Sequence, residues 1–452
     1  MVTMVDLILK NAKFIICDES TIIKNGAISI DEGKIVDIGK NSKITNEYKA
    51  DVIIDAKQKL VMPGLICCHS HLPTCFYRGF AEDLPLMGWL KKIVFPAMGL
   101  LNEYNTHLFA FLGCVEMIKS GTTCYLDHHI FPRSLCKAAK DSGLRAVIAA
   151  RLSESSLSPD ATSPEELLKN AKSTFLEWNN KENGRIKVWL GPHAPYSCGP
   201  EYLKKILKLA QELNTNIHIH LSETIDEVKL IKKLYKKRPV EHLLDLGLLN
   251  SNLLAAHCIW LNDHEIEIFK KSGAKIAHNP KTNMKLASGF CRLTDLLTNG
   301  ITVGLGTDGV NSNNNLDMFE SMKFASLLQK VKTGDPSAIS AKTSFKLATL
   351  GGAKALGLDK MIGSIKKHKK ADLILLDLKS PHFFPVTEKS IISNLVYAAH
   401  GDDVDTVVVD GKILMKNKKI KIYKGLGKLF EKAQQEAEKL IHELGEMSVL
   451  KF

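Results

Sequence analysis

The chain has 452 residues, of which 45% are hydrophobic and 24% are charged, and its formal net charge is +12. This composition is ordinary for a globular protein, and no apolar run approaches the ~18 residues that a membrane-spanning helix needs. The first residues lack the basic lead and long apolar core of a secretion signal. We therefore expect neither export nor a membrane partner.

The excess of lysine does not form a nucleic-acid footprint. The lysines gather at residues 366–370 and 416–421 and on predicted helix faces such as 229–237. No arginine-rich tract or basic motif interleaved with aromatic residues is present. A solvated lysine surface explains this distribution better than nucleic-acid binding does.

The 10 cysteines are irregularly spaced, several lie in apolar runs, and no CxxC pair occurs. In a chain of this length, that usage favours reduced, buried thiols. We therefore predict a cytoplasmic location.

Residues 1–60 carry short apolar runs separated by polar turns, a pattern typical of short β-strands. The predicted strands are Leu7–Leu9, Phe14–Cys17, Gly26–Ile30, Lys34–Ile38 and Val52–Ile54. Such short strands bury too little apolar surface to fold alone. We therefore predict that residues 1–60 are the N-terminal part of a small β domain.

From residue 61 to residue 366 the pattern becomes an apolar strand, a loop and a helix, repeated. The eight strand candidates are Val61–Cys68, Thr122–Leu126, Arg145–Ala150, Ile186–Leu190, Asn216–His220, Leu253–Ala256, Ala274–Ala277 and Thr302–Gly306. The predicted helices are Tyr104–Lys119, Ser134–Ser142, Pro164–Trp178, Pro200–Leu213, Asp226–Leu246, Asp263–Lys271 and Thr343–Leu356. Repeated β and α units predict an α/β fold, a (β/α)₈ barrel of the TIM type. A doubly wound open sheet is the alternative, but its glycine-rich phosphate turn is missing after the first strand.

Strands return after the barrel, in residues 367–452. We predict strands at Ala371–Leu378 and Val404–Val409, a tight turn at Asp410-Gly411, a strand at Lys412–Met415 and a charged helix at Lys424–Glu446. This segment is predicted to complete the N-terminal strands. The small domain would then be a discontinuous β-sandwich built from both termini, followed by the terminal helix.

The apolar run Pro63–His71 ends in two histidines, His69 and His71. On a strand, residues spaced i, i+2 point to the same side. Two imidazoles at a strand end provide half of a metal site, since a hydrolytic metal needs about three or four protein ligands and an open position. The alternative interpretation is a pair of structural histidines.

Other predicted barrel strands also end in polar side chains. These are His218, His220 and Glu223 at the fifth strand, His257 at the sixth, His278 at the seventh and Asp308 at the eighth. Any one of them is more often structural than functional. However, the carboxyl ends of barrel strands meet on one face, where barrel enzymes have their active sites. The coincidence therefore predicts a single metal-dependent site.

These strand ends resemble those of the amidohydrolase superfamily. The matching segments are Pro63–His71, His220–Glu223, Ala256–Cys258, His278–Asn283 and Gly306–Asp308. Within the superfamily, the chain is most similar to deaminases of 5'-methylthioadenosine and S-adenosylhomocysteine. That similarity lies in Leu72-Pro73, Arg78-Gly79, Asp83–Leu86, Gly191–Tyr196, His220–Thr224, Met284–Gly289 and Asn313–Phe319. Atrazine-type chlorohydrolases and guanine deaminase-type enzymes share parts of these runs.

The resemblance implies one divalent metal ion, zinc or alternatively iron. Its implied ligands are His69, His71, His220 and Asp308. Such an ion lowers the pKa of water towards ~7. The resemblance further implies that Glu223 carries a proton from water to a ring nitrogen of the substrate. His257 and Asp308 are then catalytic groups that orient the water, and ammonia leaves a tetrahedral intermediate.

The resemblance also implies substrate contacts. His193 is placed to contact a purine ring, Glu223 to contact the ring nitrogen, and Arg151 to meet a distal polar tail. Trp89 lies in the segment Leu72–Leu101, which is far longer than an ordinary βα loop of ~2–6 residues. We interpret that segment as a lid and specificity element.

One position departs from the deaminase pattern. Related nucleoside deaminases place a glutamate before the tryptophan of this segment, where it accepts hydrogen bonds from the ribose hydroxyls. This chain has Gly88 before Trp89, and glycine offers no such acceptor. Either another group such as Glu82 or Asp83 replaces it, or the substrate lacks a ribose there.

Three further histidines are given lesser roles. His218 shares a face with His220 but lies one layer deeper, so we interpret it as a core residue. His128 and His129 are adjacent and face opposite ways, so one of them is expected to line the pocket, without a metal role.

The sequence thus predicts a hydrolytic deaminase that converts an aminopurine nucleoside to its inosine-type product and ammonia. The first alternative is an aminohydrolase or chlorohydrolase of a ribose-free heterocycle, such as a free base, a pterin or an s-triazine. The second is a scaffold with this fold and no catalysis. The expected partners are a small-molecule substrate and, from the resemblance, further copies of the chain in a homo-oligomer.

Overall fold

The computed structural model describes residues 2–80, 82–84, 86–154, 163–423 and 425–447. Within these ranges, the strands belong to two sheets of nine strands each. The first sheet begins with β1 (Thr3–Ile16), β2 (Ile22–Asp31), β3 (Lys34–Lys40), β4 (Tyr48–Asp55) and β5 (Lys59–Pro63). The helix Asn41–Glu47 connects β3 to β4.

The second sheet is parallel and occupies the middle of the chain. Its strands are β6 (Leu65–His71), β7 (Thr122–His129), β8 (Arg145–Leu152), β9 (Ile186–Pro192), β10 (Ile217–Leu221), β11 (Leu253–His257), β12 (Lys275–His278), β13 (Val303–Leu305) and β14 (Asp308–Gly309). Neighbours in sequence pair from β6 through to β13. The next segment, β14, pairs with β6. Because β13 and β14 follow one another along the chain, the two ends of the sheet approach each other there, which is consistent with the predicted barrel.

The first sheet is completed near the other terminus. Its later strands are β15 (Leu373–Asp377), β16 (Val404–Val409), β17 (Lys412–Lys416) and β18 (Lys419–Ile420). Strand β5 pairs in parallel with β1 and antiparallel with β15. Strands from both ends of the chain therefore share one sheet, as predicted. A two-layered sandwich and the domain limits 1–60, 61–366 and 367–452 stay predictions.

Helices alternate with the parallel strands, as the sequence pattern predicts. They are Glu103–Lys119, Pro132–Ser142, Pro164–Trp178, the helical turn Lys181–Gly184, Pro200–Leu213, Ile225–Tyr235, Pro239–Asp245, Asp263–Ser272, Pro280–Lys285, Leu293–Thr298, Val310–Asn313, Met318–Thr333, Ala341–Leu347 and Leu350–Ala355. After β15 follow the 3₁₀ turns Pro381–Phe383 and Gly401–Asp403 and the helices Ile391–Tyr397 and Leu426–Glu446. No helix in the described ranges is long and apolar enough to cross a membrane.

The long segment after β6 is partly helical. It contains the 3₁₀ helix Leu72–Tyr77, the helices Leu86–Trp89 and Phe95–Gly99, and a π-helical stretch Leu90–Val94 between those two. Residues 81 and 85 lie outside the described ranges. This segment lies next to the carboxyl end of β6 and covers the site described below.

The core lies between the parallel strands and the helices. Every residue of β7 and β8 is buried, so these strands read as nearly continuous apolar runs and show little alternation. Tyr125 of β7, for example, is fully buried, and its hydroxyl lies 3.4 Å from Cys114 Sγ in the helix Glu103–Lys119. This double burial explains why the sequence reveals the barrel strands clearly.

The first predicted barrel strand, Val61–Cys68, was wrong as a single element. The structure divides this apolar run between β5 of the first sheet and β6 of the second, with Gly64 between them. The Gly64 amide donates a hydrogen bond to the Asp372 carbonyl, 3.0 Å away. A Cβ atom at Gly64 would lie 2.0 Å from Thr123 Oγ1, so this close crossing requires glycine. Both strands are buried, which is why the run shows no apolar break.

Three smaller predictions were also wrong in their limits. Leu7–Leu9 and Phe14–Cys17 are parts of one strand, β1, whose register shifts between Leu9 and Ala12. The single helix predicted over Asp226–Leu246 is two helices, because Lys236 is left-handed and Pro239 starts the second. The terminal helix begins at Leu426, while its predicted first residue, Lys424, lies outside the described ranges.

Candidate metal centre and active site

The parallel strands bring four of the predicted site residues together at their carboxyl ends. His69 and His71 come from β6, His220 from β10 and Asp308 from β14. The ring centroid of His69 lies 4.8 Å from that of His71 and 4.8 Å from that of His220. Asp308 Oδ1 lies 3.3 Å from His69 Nε2 and 3.4 Å from His71 Nε2. These four side chains converge although 239 positions separate the first from the last.

The hydrogen bonds of the imidazoles identify the nitrogens that are available to a ligand. His71 Nδ1 lies 2.8 Å from the carbonyl oxygen of His128, and His220 Nδ1 lies 2.8 Å from that of His193. A carbonyl oxygen only accepts, so we assign the proton of each ring to Nδ1. The Nε2 atom of each ring therefore keeps its lone pair, as a metal-binding histidine requires.

The arrangement fits a divalent metal ion. Tetrahedral zinc ligands at ~2.0–2.1 Å from the ion are ~3.3 Å apart. The two contacts of Asp308 with His69 and His71 have this separation. His69 Nε2 is also buried and accepts no hydrogen bond within the described ranges. Among the groupings of ligand atoms within 4.8 Å of one another are His69, His71 and Asp308, and also His69, His220 and His257.

The charges at the site agree with this ligand set. Burial, together with neighbouring His69, lowers the pKa of His71 to about 3, and burial lowers the pKa of His69 and of His220. Burial would raise the pKa of Asp308, but its close contact with His69 holds that pKa below the usual range. Near neutral pH the site therefore presents neutral imidazoles and an anionic carboxylate, which are the forms that bind metal ions.

Glu223 and His257 lie beside these four residues. Glu223 Oε2 is 3.8 Å from His257 Nε2, and His257 Nδ1 is 3.0 Å from Asn283 Oδ1. Burial raises the pKa of the Glu223 carboxyl above its ordinary value. A carboxyl group with a raised pKa exchanges protons more readily near neutral pH, as a general acid or base must.

Three site residues, or their direct neighbours, have left-handed backbone conformations. The φ angles are 50° at Ser222, which precedes Glu223, 72° at His257 and 64° at Asp308. Residues other than glycine seldom adopt such angles, and they keep them only where the surrounding structure fixes them. Here the left-handed residues lie after β10, at the end of β11 and in β14, where Glu223, His257 and Asp308 line the pocket.

A pocket opens beside the site. The segment after β6 supplies much of the apolar lining, with Leu86, Trp89, Leu90, Val94, Phe95 and Met98. The predicted substrate residues Trp89, Arg151, His193 and Glu223 all line the pocket. The segment after β6 and the predicted metal ligands His71, His220 and Asp308 thus line a single pocket.

Arg151 is an unusual lining residue because it is 5% exposed and has no carboxylate partner within the described ranges. Its Nη1 lies 3.2 Å from Met98 Sδ, and its Nε has no hydrogen-bond partner there. Burial lowers the pKa of Arg151 to about 10, so the side chain stays cationic at neutral pH. A buried guanidinium with no carboxylate partner among the described residues is well suited to bind an acceptor-rich or anionic group of a ligand.

Within the described ranges, no carboxylate lines the pocket near Gly88 in place of the missing glutamate. A Cβ atom at Gly88 would contact nothing within 4 Å. Glu82 is not a lining residue: it pairs with Lys285 at 2.7 Å and accepts from Asn314. Asp83 is also absent from the lining. The described part of the lining contains only two carboxylates, those of Glu223 and Asp308.

Sequence reasoning missed the roles of several residues. His218, interpreted as core, is fully buried, but its Nε2 lies 2.8 Å from Nδ1 of His69. His128 and His129 both line the pocket, and His128 also groups with His71 and His220. Glu227 accepts hydrogen bonds from the amides of Ser222 and Glu223. The repeated His-x-His pattern at β10 was a signal for His218, whereas nothing in the sequence marked Glu227.

His278, in contrast, does not join the site. It is fully buried at the end of β12, and neither ring nitrogen has a hydrogen-bond partner within the described ranges. It belongs to none of the candidate metal-ligand groups found there. Its position at a strand end is therefore not sufficient to make it a ligand.

The chain is similar to a known protein family and to individual members with known names. The model of the amidohydrolase family matches residues 60–414. The chain is 41% identical to the 5-methylthioadenosine/S-adenosylhomocysteine deaminase of Caldanaerobacter subterraneus subsp. tengcongensis, over 98% of this chain and 100% of that protein. It is 42% identical to the 5'-deoxyadenosine deaminase of Methanosarcina acetivorans, over 97% and 99%.

The fold is also similar to that of a solved crystal structure. The crystal structure of an adenosine deaminase from Xanthomonas campestris with bound zinc superposes with a TM-score of 0.94. The two sequences are 30% identical, and the alignment covers 98% of this chain and 100% of that one. From the family match and these near full-length similarities, the chain belongs to the amidohydrolase family.

Proposed function

We propose that this protein is a zinc-dependent hydrolytic deaminase of aminopurine nucleosides of the 5'-methylthioadenosine and S-adenosylhomocysteine type. The observation that carries the proposal is the convergence of three imidazoles with Asp308 beside the buried carboxyl of Glu223. The relatives named as nucleoside deaminases support the substrate class.

The proposed ligands of the metal ion are His69, His71, His220 and Asp308. A bound divalent cation supplies Lewis-acid chemistry that makes water nucleophilic near neutral pH. The protein residues then hold and move protons. Glu223 takes a proton from the attacking water and delivers it to a ring nitrogen of the substrate, which makes the adjacent carbon electrophilic. A C–O bond forms at that carbon while its double bond to the ring nitrogen becomes single. The second proton of the added water then passes to the amino group, the C–N bond breaks, ammonia leaves and the oxygen remains as a carbonyl.

His257 is proposed to orient the water and Glu223. Its Nδ1 lies 3.0 Å from Asn283 Oδ1, which fixes the ring, and its Nε2 lies 3.8 Å from Glu223 Oε2. A group held in this way restricts the reacting atoms to a productive geometry, and such orientation lowers the barrier of a bimolecular step.

His193, Trp89 and Arg151 are the proposed substrate contacts. His193 and Trp89 offer aromatic faces and ring nitrogens to a purine. S-adenosylhomocysteine ends in an amino acid, whose carboxylate suits the buried guanidinium of Arg151. A substrate without this tail gains nothing from Arg151. Replacing Arg151 with methionine should therefore raise KM for S-adenosylhomocysteine at least tenfold more than KM for 5'-deoxyadenosine.

Gly88 and the carboxylate-poor lining favour a second candidate, a hydrolase of a ribose-free N-heterocycle. The variant Gly88→Glu separates the two candidates, because space for a side chain exists at this position. A large gain on nucleosides would indicate that the natural substrate lacks the ribose. An unchanged or reduced activity on nucleosides would favour the first candidate.

The decisive experiment measures ammonia release by the zinc-loaded protein. Its panel contains 5'-methylthioadenosine, S-adenosylhomocysteine, 5'-deoxyadenosine and adenosine, with adenine, guanine and an s-triazine as ribose-free members. Chromatography identifies the inosine-type product, and Glu223→Gln is the control for contaminating activity. We expect the largest kcat/KM on a nucleoside. No activity on any nucleoside would refute the proposal.

The same proposal includes three features beyond the active site, which the strand–helix repeat, the cysteine usage and the family resemblance respectively predict. These are closure of the parallel sheet as a complete (β/α)₈ barrel, a cytoplasmic location and assembly into a homo-oligomer. Sedimentation of the purified protein tests the oligomer directly.

A further inference from the structure

His218 is a buried histidine that the proposed reaction does not use. It lies in β10, two residues before His220, and is fully buried. Both of its ring nitrogens have polar partners. Its Nδ1 lies 3.0 Å from the carbonyl oxygen of Leu254 in the neighbouring strand β11, and its Nε2 lies 2.8 Å from Nδ1 of His69.

The partners of His218 determine where its proton lies. The Leu254 carbonyl oxygen only accepts, so His218 Nδ1 must donate to it. A neutral His218 then has an unprotonated Nε2, which accepts from His69 Nδ1–H. The opposite assignment would place an imidazole lone pair against a carbonyl lone pair. A doubly protonated ring would put a positive charge in a fully buried position, which is costly.

The consequence reaches the proposed metal site. Because His69 Nδ1 donates to His218, His69 Nε2 keeps its lone pair, and this buried nitrogen has no hydrogen-bond partner among the described residues. The hydrogen bonds therefore run in one direction, from His69 to His218 and from His218 to Leu254. A group that accepts a hydrogen bond from a metal-binding histidine, without binding the metal itself, sets the tautomer and orientation of that histidine and raises its basicity.

His69 differs from the other two histidines in the kind of group that fixes it. His71 and His220 donate directly to backbone carbonyls, of His128 and His193. These carbonyls remain whichever side chain stands at those positions. The partner of His69 is a side chain, so a single substitution removes it.

From these contacts we infer that His218 is a positioning residue for the metal site: it accepts the Nδ1 proton of His69 and thereby presents His69 Nε2 to the cation. The inference rests on the metal site of the proposed function. It assigns a role to a residue that touches neither the cation nor the substrate.

Two substitutions at His218 distinguish the effect of losing the hydrogen-bond acceptor for His69 from the effect of losing the volume of the imidazole ring. In His218→Gln, the longer side chain places its amide oxygen near the position of Nε2 and can still accept from His69. In His218→Asn, the shorter side chain reaches Leu254 but leaves His69 Nδ1 without an acceptor. His278→Asn is the matched control, because His278 is also fully buried at a strand end and has no hydrogen-bond partner in the described ranges.

The measurement is zinc affinity of the full chain, by competition with a chromophoric chelator, at a temperature where thermal unfolding shows every apo variant folded. The visible spectrum of the cobalt-substituted protein reports ligand geometry separately. Loss of an outer partner typically weakens metal binding 10–100-fold. We expect such a loss for His218→Asn with an altered cobalt spectrum. His218→Gln and His278→Asn should stay within about threefold of the wild type.

The outcomes divide cleanly. Equal zinc affinity of His218→Asn and the wild type would overturn the inference and leave the metal site intact. An equal loss in the Gln and Asn variants, or in His278→Asn, would show that packing and not the acceptor matters, which also overturns it. A wild-type chain that binds no zinc would refute the metal site itself, and the inference with it.

Discussion

Replacing Glu227 with glutamine tests how the catalytic carboxyl is held. Glu227 is 5% exposed, and its carboxyl oxygens accept hydrogen bonds from the amides of Ser222 at 2.8 Å and of Glu223 at 2.9 Å. Ser222 has a φ of 50°, so this clamp holds a left-handed turn immediately before Glu223. Glutamine keeps the shape and one acceptor, but its amide NH₂ group faces the other backbone N–H.

The size of the expected effect follows from the hydrogen bond between Glu227 and a backbone amide that the substitution removes. A hydrogen bond to a charged group contributes about 1.5–3 kcal/mol, and a buried N–H left unpaired costs about 1–3 kcal/mol. Part of this cost will relax by movement of the turn, which displaces Glu223. A displacement of ~1 Å in a catalytic group reduces turnover ~100-fold. We therefore expect kcat of Glu227→Gln to fall about 10–100-fold with KM changed less than threefold.

The assay is ammonia release at pH 8.5, together with urea unfolding. Burial raises the pKa of Glu227 to about 7, so the carboxyl is ionised at the chosen pH. Thr224→Ala is the control. The Thr224 hydroxyl caps the same helix by accepting from the Glu227 amide at 3.2 Å, and its removal should cost ~1 kcal/mol while leaving kcat within about threefold. If Glu227→Gln retains wild-type kcat, Glu227 does not position Glu223 and the reasoning fails.

Three further results are expected. Glu223→Gln should reduce kcat by ~10²–10⁴-fold, because it removes the proton carrier, while zinc content measured by mass spectrometry stays unchanged; substantial residual turnover would exclude Glu223 as that carrier. Removing zinc with a chelator should abolish activity and lower the unfolding temperature, and zinc at ~100 times its Kd should restore ~2.7 kcal/mol of stability, as measured by thermal unfolding. In the first sheet, burial would raise the pKa of Asp37, but Lys367 and Lys43 lower it from 3.8 to about 2. Its folded pKa thus lies below the unfolded value, so the stabilisation is present above pH ~4 and is lost as the pH falls towards 2. Asp37→Asn should therefore be up to ~2 kcal/mol less stable at pH 7 and should lose less stability between pH 4 and pH 2 than the wild type, as measured by urea unfolding; parallel curves would contradict this assignment.

The sequence by itself determined most of the architecture and the chemical character of the site. Strands such as β7 and β8 are buried on both faces, so their apolar runs stand out clearly between amphipathic helices. Histidines and acids at the ends of such runs are rare enough to be noticed. The prediction of His69, His71, His220 and Asp308 as neighbours needed only the rule that parallel strands end on one face.

Tertiary structure alone decided which atoms of these residues are available. The groups that hold the Nδ1 atoms of His71 and His220 are the backbone carbonyls of His128 and His193, which are 57 and 27 positions away in the sequence. Every residue has such a carbonyl, so no sequence pattern distinguishes these two. The register between neighbouring strands selects them.

The same reason explains what the sequence could not show. His218 was interpreted as a core residue and is fully buried, but its 2.8 Å contact with Nδ1 of His69 could be seen only in the structure. The division of Val61–Cys68 between two sheets is equally invisible, since both halves are buried. Local sequence specifies strands, helices and reactive side chains. Tertiary packing specifies hydrogen-bond partners, because these depend on how distant segments align.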